Sequence, residues 1–140
     1  PNDENFMDYQ EIEAFIVSLM KDYKVKEVAY DPAFFERSAQ VLLDRGVPMV
    51  NFPQTHSRMI PACGNAYDLI ANTKVRHNGD PTFTDQVMSA AQRTTDMGWR
   101  LSKGRSKRKI DGAIAMVLML DRITAPDPLD DEPEVAIINL

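Results

Sequence analysis

Residues 107–121 read KRKIDGAIAMVLMLD, and this stretch decides how the rest of the chain is interpreted. Eight apolar residues follow Gly112 without a break, which predicts a helix buried on all sides. The run is too short to span a bilayer. Asp111 at its start therefore caps the helix or lies where a solvated cleft meets the core, because an unpaired buried carboxylate is costly. Gly112 lets another backbone, a phosphate or a metal ion approach closely.

Composition bounds the class of protein. A length of 140 residues and an apolar fraction of 44% suit one domain with a real core. The net charge of −5 argues against indiscriminate nucleic-acid binding, yet the charge is uneven. Six cations and no acid lie in residues 100–109, whereas five acids and no base lie in residues 127–134. The single Cys63 excludes an intrachain disulfide and fits a reducing cytoplasm. Neither a secretory signal nor a membrane span is recognisable in these residues, so we expect no membrane partner.

Hydrophobic periodicity and turn residues predict strands that alternate with helices. We expect helices at 7–23, 33–45, 57–73 and 81–94 before the apolar one, and strands at 25–30, 47–52, 74–77, 96–102 and 135–140. In the second, third and fourth helices we expect inward positions that include Phe34, Phe35, Ala39, Leu42, Leu43, Met59, Ile60, Ala66, Ile70, Phe83 and Met88. This order predicts an α/β fold with at least part of its sheet parallel. Ligands in such folds lie at the carboxyl ends of the strands, where Asp31 stands.

Asp31 and Asp111 form the first candidate site. As a pair of carboxylates they are suited to Mg²⁺ or Mn²⁺, which prefer oxygen ligands. Two such ions can activate a water and stabilise the leaving oxygen of a phosphodiester. The structural alternative is that Asp31 only begins a turn before Pro32 and Asp111 only caps a helix, where a carboxylate is stabilising in its own right.

The second candidate site is the cationic run before Asp111. It is a candidate surface for phosphates, with Arg100 at its edge and Lys103, Arg105, Lys107, Arg108 and Lys109 as DNA-binding residues. The alternative is a solvated loop. We call residues 103–109 the basic loop. His77, followed by Asn78, Gly79 and Asp80, is a candidate to lie next to the metal-binding carboxylates without binding the metal itself, or to contact a phosphate.

Several short motifs together resemble a known family. They are Tyr30-Asp31-Pro32, Phe52-Pro53-Gln54 followed by Met59 and Ala62, Leu69, His77-Asn78-Gly79-Asp80-Pro81, and Ile110-Asp111-Gly112-Ala113 with a long apolar helix that ends at Arg122. In this order and at these spacings they resemble the nuclease domain of tailed-phage terminase large subunits. The resemblance covers about residues 25–123. Each motif alone is weak, and their ordered combination is fairly specific.

The resemblance implies a ribonuclease H-like mixed sheet flanked by helices, and a metal-dependent endonuclease that cuts concatemeric double-stranded DNA during packaging in the host cytoplasm. Asp31 matches the second catalytic acid and Asp111 the last, both as ligands of Mg²⁺ or Mn²⁺, with His77 and Asp80 behind them. The first acid is expected upstream of residue 1, so the nuclease domain, residues 1–124, is expected to be incomplete at its N-terminus. Without that acid we expect weaker binding of divalent ions and no cleavage by this segment alone. Residues 125–140 are expected to form an acidic, proline-rich tail.

Further partners are implied by the same resemblance: an ATPase domain upstream in the parent chain, the small terminase subunit and the portal. Two other functions fit the residues as well. One is a non-catalytic α/β module that docks DNA or a capsid component, with the acidic tail as an interaction segment. The other is a resolvase of the same ribonuclease H-like class.

Overall fold

The computed structural model describes residues 7–125 and the backbone of Ile137–Ile138. The chain forms two compact units, Pro1–Pro53 and Gln54–Leu140. The first unit contains α1 (Tyr9–Asp22), β1 (Val28–Tyr30), α2 (Pro32–Asp44) and β2 (Met49–Asn51). The second contains α3 (His56–Ala71), β3 (Arg76–His77), α4 (Pro81–Met88), β4 (Gln92–Thr95), β5 (Gly98–Leu101), α5 (Asp111–Thr124) and β6 (Ile137–Ile138). The predicted division at residue 124 into a nuclease domain and a tail stays a prediction, since residues 126–136 lie outside the described part.

The first unit is a parallel β-α-β arrangement. β1 pairs with β2 in parallel, with Val28 opposite Met49, and α2 connects the two strands. Leu42 on α2 is fully buried, and the backbone N–H of Phe52 extends the pairing by donating to the carbonyl of Tyr30 at 2.7 Å. This confirms the predicted parallel pairing and puts Asp31 directly after the carboxyl end of β1.

Two predicted core positions of α2 are wrong. Phe34 is 81% exposed and Leu43 is 43% exposed. The buried stripe of this helix instead includes Ser38, Ala39 and Leu42. The periodicity allowed two neighbouring stripes on one helix, and only the packing partners decide which of them is covered.

The second unit is built around α5, which packs against α3 and α4. Leu120 of α5 and Met59 and Ala62 of α3 have no exposed surface. Burying a leucine side chain contributes about 1.5–3 kcal/mol, so this helix anchors the unit. The prediction of a buried helix is confirmed for most of the run, although Ala115 faces solvent. The prediction that Ile70 of α3 points inward is wrong, because this residue is 46% exposed.

The fourth predicted helix is too long. Residues 81–94 were expected to be helical, but α4 ends at Met88, which is 81% exposed rather than in the core. The chain then forms an antiparallel hairpin of β4 and β5, with Thr95 opposite Gly98. Gly98 has φ +133°, and a Cβ there would lie 2.9 Å from Ile60 Cγ2, so the turn requires glycine.

The remaining strands and the cysteine complete the second unit. β3 pairs in parallel with β6, Arg76 opposite Ile137, so the two short strands expected at 74–77 and 135–140 pair with each other. Cys63 is buried and free, and burial raises the pKa of its thiol. Among the described helices, none is long and apolar enough to cross a membrane.

Candidate functional site

Asp111 is the first residue of α5, and its carboxylate does not cap the helix. The N-cap is Ile110, which is 1% exposed and has no capping side chain. The Asp111 side chain is 62% exposed, and one of its oxygens accepts a hydrogen bond from the Lys103 ammonium. Because Ile110 is buried in the core, it fixes the backbone from which this exposed carboxylate projects. The sequence-based expectation of a cap is therefore wrong here, and that of a solvated position is right.

Gly112 lies under a side chain from α4. Its backbone N–H donates to Gln86 Oε1 at 2.5 Å. A Cβ at this position would lie 2.9 Å from Gln86 Oε1 and 3.4 Å from Phe83 Cδ2. The close approach expected at this glycine is thus made by a glutamine amide rather than by a backbone. Gln86 satisfies one of the free N–H groups that open the helix, and nothing in the sequence singled it out.

A serine hydroxyl stabilises a turn at the centre of the basic loop. Ser106 Oγ donates to the Ser102 carbonyl at 2.8 Å and accepts from the Ala91 N–H at 3.0 Å. The backbone N–H groups of Arg105 and Ser106 also reach the Ser102 carbonyl, at 3.3 and 3.2 Å. The loop therefore has a defined turn at its centre, formed by two serines that no sequence pattern singled out.

The cations of the basic loop divide into two groups. Lys103 bonds to Asp111, and Arg108 Nη1 donates to Asp85 Oδ1 at 2.6 Å. This hydrogen bond raises the pKa of Arg108. The other three, Arg105, Lys107 and Lys109, are exposed and have no side-chain partner among residues 7–125.

Arg100, at the edge of this cationic run, has a structural contact. It lies on β5 and its Nη1 donates to the Gln54 carbonyl at 2.9 Å. Its side chain is therefore partly engaged in holding the start of α3 to the hairpin. We do not count it among the candidate DNA-binding residues.

His77 and Asp80 lie on the segment from β3 to α4. His77 Nδ1 accepts from the Gly79 N–H at 3.1 Å, and Asp80 caps α4 by accepting from the Phe83 N–H at 2.7 Å. The His77 ring packs edge-on against Phe83, with centroids 5.5 Å apart. Since Phe83 also lies against Gly112, a packed ring connects His77 to the start of α5. Their predicted role behind the carboxylates stays a prediction.

Asp31 lies in the first unit and caps α2. Its Oδ1 accepts from the Ala33 N–H at 3.1 Å, and Pro32 occupies the first helical position. Asp31 therefore has a capping role, and its second carboxylate oxygen is left for another ligand. The pairing of Asp31 with Asp111 on shared metal ions stays a prediction.

The donor groups at Asp111 fit a hard divalent cation. A carboxylate that is more than half exposed offers an oxygen ligand and leaves room for the several waters that Mg²⁺ retains. Its present partner is itself a cation, so the position already holds positive charge. Within residues 7–125, no three His, Cys, Asp or Glu side chains come together as ligands of one ion. Waters or phosphate oxygens would have to supply the remaining ligands.

Comparison with known proteins identifies one family. The model of the family described as terminase large subunit, endonuclease domain, matches residues 2–127. The terminase large subunit of Enterobacteria phage HK97 is 28% identical over 116 residues, which are 80% of this chain and 23% of that protein. The crystal structure of the HK97 bacteriophage large terminase matches 83% of this chain and 25% of its own, with a TM-score of 0.75 and 26% identity. The chain thus spans about a quarter of the length of these relatives.

Proposed function

Because this chain belongs to the endonuclease-domain family of phage terminase large subunits, we propose that it cuts concatemeric double-stranded DNA during packaging by metal-dependent phosphodiester hydrolysis. Its fold is the mixed α/β, ribonuclease H-like fold of the HK97 terminase nuclease. Family membership establishes the endonuclease domain. The substrate, the metal ions and the residues that bind them are our proposals.

The observation that carries the proposal is the state of Asp111. A helix normally uses an acid at its start to satisfy its own N–H groups, but Asp111 is turned outward to the basic loop. This carboxylate is exposed, its backbone position follows the buried Ile110, and its one side-chain partner in residues 7–125 is Lys103, so a metal ion can reach it. We propose it as one metal ligand and Asp31, directly after β1, as a second. When bound, Mg²⁺ or Mn²⁺ would supply an activated water and charge stabilisation at the leaving oxygen.

The basic loop would hold the DNA backbone. Arg105, Lys107 and Lys109 are exposed and without side-chain partners in the described part of the chain, so their charges are available to phosphates. Lys103 and Arg108 are already paired with acids and would have to exchange partners. Contacts to phosphates do not read sequence. The choice of cutting position would then come from partners, which we propose to be the small subunit and the portal, in the host cytoplasm, with an ATPase in the parent chain.

Plasmid cleavage in Mn²⁺ tests the proposal. Asp111→Asn removes a ligand charge and keeps the side-chain shape, so we expect cleavage to fall by about 100-fold or more, the loss that several kcal/mol of transition-state stabilisation implies. Asp96→Asn is the matched control, because Asp96 is also an exposed aspartate and lies in the turn between β4 and β5. We expect it to cleave normally.

The design distinguishes the alternatives. A non-catalytic docking module would bind DNA in all variants and would show no Mn²⁺-dependent cleavage that depends on Asp111. Because the chain spans about a quarter of the length of its relatives, the assay is run with residues 1–140 and with a longer parent chain that contains them. Cleavage by Asp111→Asn at the rate of the unaltered protein would refute the proposed role of Asp111.

A further inference from the structure

The ion pair between Lys103 and Asp111 joins a proposed DNA ligand to a proposed metal ligand. No other side chain of residues 7–125 bonds to Asp111. The two side chains are 58% and 62% exposed, so water and ions reach both. For cleavage as proposed, Asp111 would have to release Lys103 to bind a metal ion, and Lys103 would have to release Asp111 to bind a phosphate.

We propose that Lys103 is the internal counter-ion of Asp111 in the metal-free protein, and that a divalent cation at Asp111 displaces it onto a DNA phosphate. The inference rests on the proposed function, because it takes Asp111 as a metal ligand. It adds a coupling: metal and DNA should bind with mutual help, and Lys103 should carry that help. Lys103 is thus a positioning residue whose partner depends on whether metal is bound.

Elementary electrostatics supports the exchange. An ammonium and a divalent cation cannot both lie against one carboxylate without strong repulsion, since like charges at contact distance repel even near a protein surface. An exposed ion pair is also weak enough to break, because both charges regain water when they separate. The lysine charge sits on a flexible four-carbon stem, so it can move while the loop backbone stays in place.

The neighbouring cations explain where the displaced charge would go. Arg105, Lys107 and Lys109 belong to the same loop and make the surface that phosphates would follow. Arg108 differs from Lys103, because its acid is Asp85 on α4, which is not a proposed metal ligand. Metal binding should therefore release Lys103 and leave Arg108 paired.

Metal titration without DNA is the first test. Mn²⁺ binding to residues 1–140 is measured by electron paramagnetic resonance at low salt. Lys103→Ala removes the competitor, and we expect its Mn²⁺ dissociation constant to be about two- to fivefold lower than that of Lys107→Ala, the range that a weak exposed pair allows. Lys107→Ala removes the same charge from the same loop without breaking an ion pair. Lys103→Arg should bind Mn²⁺ like the unaltered protein.

The salt dependence of DNA binding is the second test. Duplex binding is measured in EDTA and at a fixed Ca²⁺ concentration, each over a salt range of about 50–200 mM, in which phosphate contacts change the affinity strongly. One additional phosphate contact steepens the plot of log affinity against log salt by about 0.9. We expect this steepening when Ca²⁺ is added to the unaltered protein and to Lys107→Ala, and none with Lys103→Ala.

The outcomes separate this inference from the proposed function. If Asp111→Asn binds Mn²⁺ as well as the unaltered protein, the proposed metal ligand is wrong and the exchange falls with it. If Mn²⁺ binding needs Asp111 but Lys103→Ala and Lys107→Ala agree in both tests, the exchange alone is overturned. Circular dichroism spectra identical to that of the unaltered protein exclude unfolding of either variant as the cause.

Discussion

The starts of α2 and α5 carry the same residue type and use it in different ways. Asp31 precedes α2 and its carboxylate accepts from the Ala33 N–H, as Asp8 and Asp80 do for α1 and α4. Asp111 is one position further in, within α5, and its carboxylate makes no cap. The comparison shows that the same residue type at a helix start can be engaged by the helix backbone or left exposed to other partners.

The two aspartates differ by one position relative to the helix start, and this difference explains why only Asp31 caps its helix. Pro32 follows Asp31 at the first helical position, and Asp31 keeps the extended backbone from which a side chain reaches back to the helix N–H groups. Asp111 already lies in the helix, and the N–H of the next residue is taken by Gln86. Its carboxylate is thereby left for Lys103 and for ligands.

The largest expected effect tests whether Asp31 has a second role beside capping. Asparagine caps helices about as well as aspartate, so Asp31→Asn should leave the urea midpoint unchanged while removing the ligand charge. We expect Mn²⁺-dependent plasmid cleavage to fall by about 100-fold or more. Full cleavage by this variant would mean that Asp31 is only a cap, and the contrast with Asp111 would become complete.

A smaller effect separates a cap from an ion pair through salt. Asp80→Ala loses a capping bond and should destabilise the protein by about 1 kcal/mol. Most of this loss should persist in about 1 M NaCl, a concentration that screens surface charges. Asp111→Ala loses an exposed pair and a favourable helix-dipole contact, and its cost should shrink toward zero at that salt concentration. Urea unfolding at both salt concentrations measures this. Equal salt dependence in the two variants would contradict the distinction.

The contact at Gly112 gives a coupling of similar or smaller size. Alanine favours helix by about 0.5–1 kcal/mol over glycine, but a Cβ at residue 112 would press on Gln86 Oε1. We expect Gly112→Ala to be close to neutral alone and to stabilise the protein in a Gln86→Ala background. A double-mutant cycle of unfolding free energies measures the difference. Additive effects would mean that Gln86 moves aside without cost.

The smallest expected effect concerns Asp85, the acid that holds Arg108. Both side chains are largely exposed, at 48% and 66%, so the pair should add little to stability. The hydrogen bond to the Asp85 carboxylate raises the pKa of Arg108, and an arginine is in any case charged near neutral pH. Between about pH 6 and 8, the urea midpoint of Asp85→Asn should match that of the unaltered protein. A clear loss would show that the basic loop depends on this anchor.

Local sequence was enough for much of the fold because local rules govern it. The three- and four-residue spacing of apolar residues predicted α1, α2 and α3, and the proline after Asp31 and Asp80 marked the starts of α2 and α4. The unbroken apolar run predicted the burial of α5. By contrast, the end of α4 depends on the hairpin, whose strands are satisfied only by pairing with each other.

The sequence by itself determined the helices apart from the end of α4, the burial of α5 and the family, because each leaves a signal in consecutive residues or in a short ordered set of motifs. Tertiary structure alone decided that Gln86 covers Gly112, that Asp85 holds Arg108 and that Lys103 bonds to Asp111. The first contact joins α4 to α5, the second joins α4 to the basic loop, and the third joins the basic loop to the start of α5. The contact of Gln86 with Gly112 depends on the packing of α4 against α5, which no local pattern encodes.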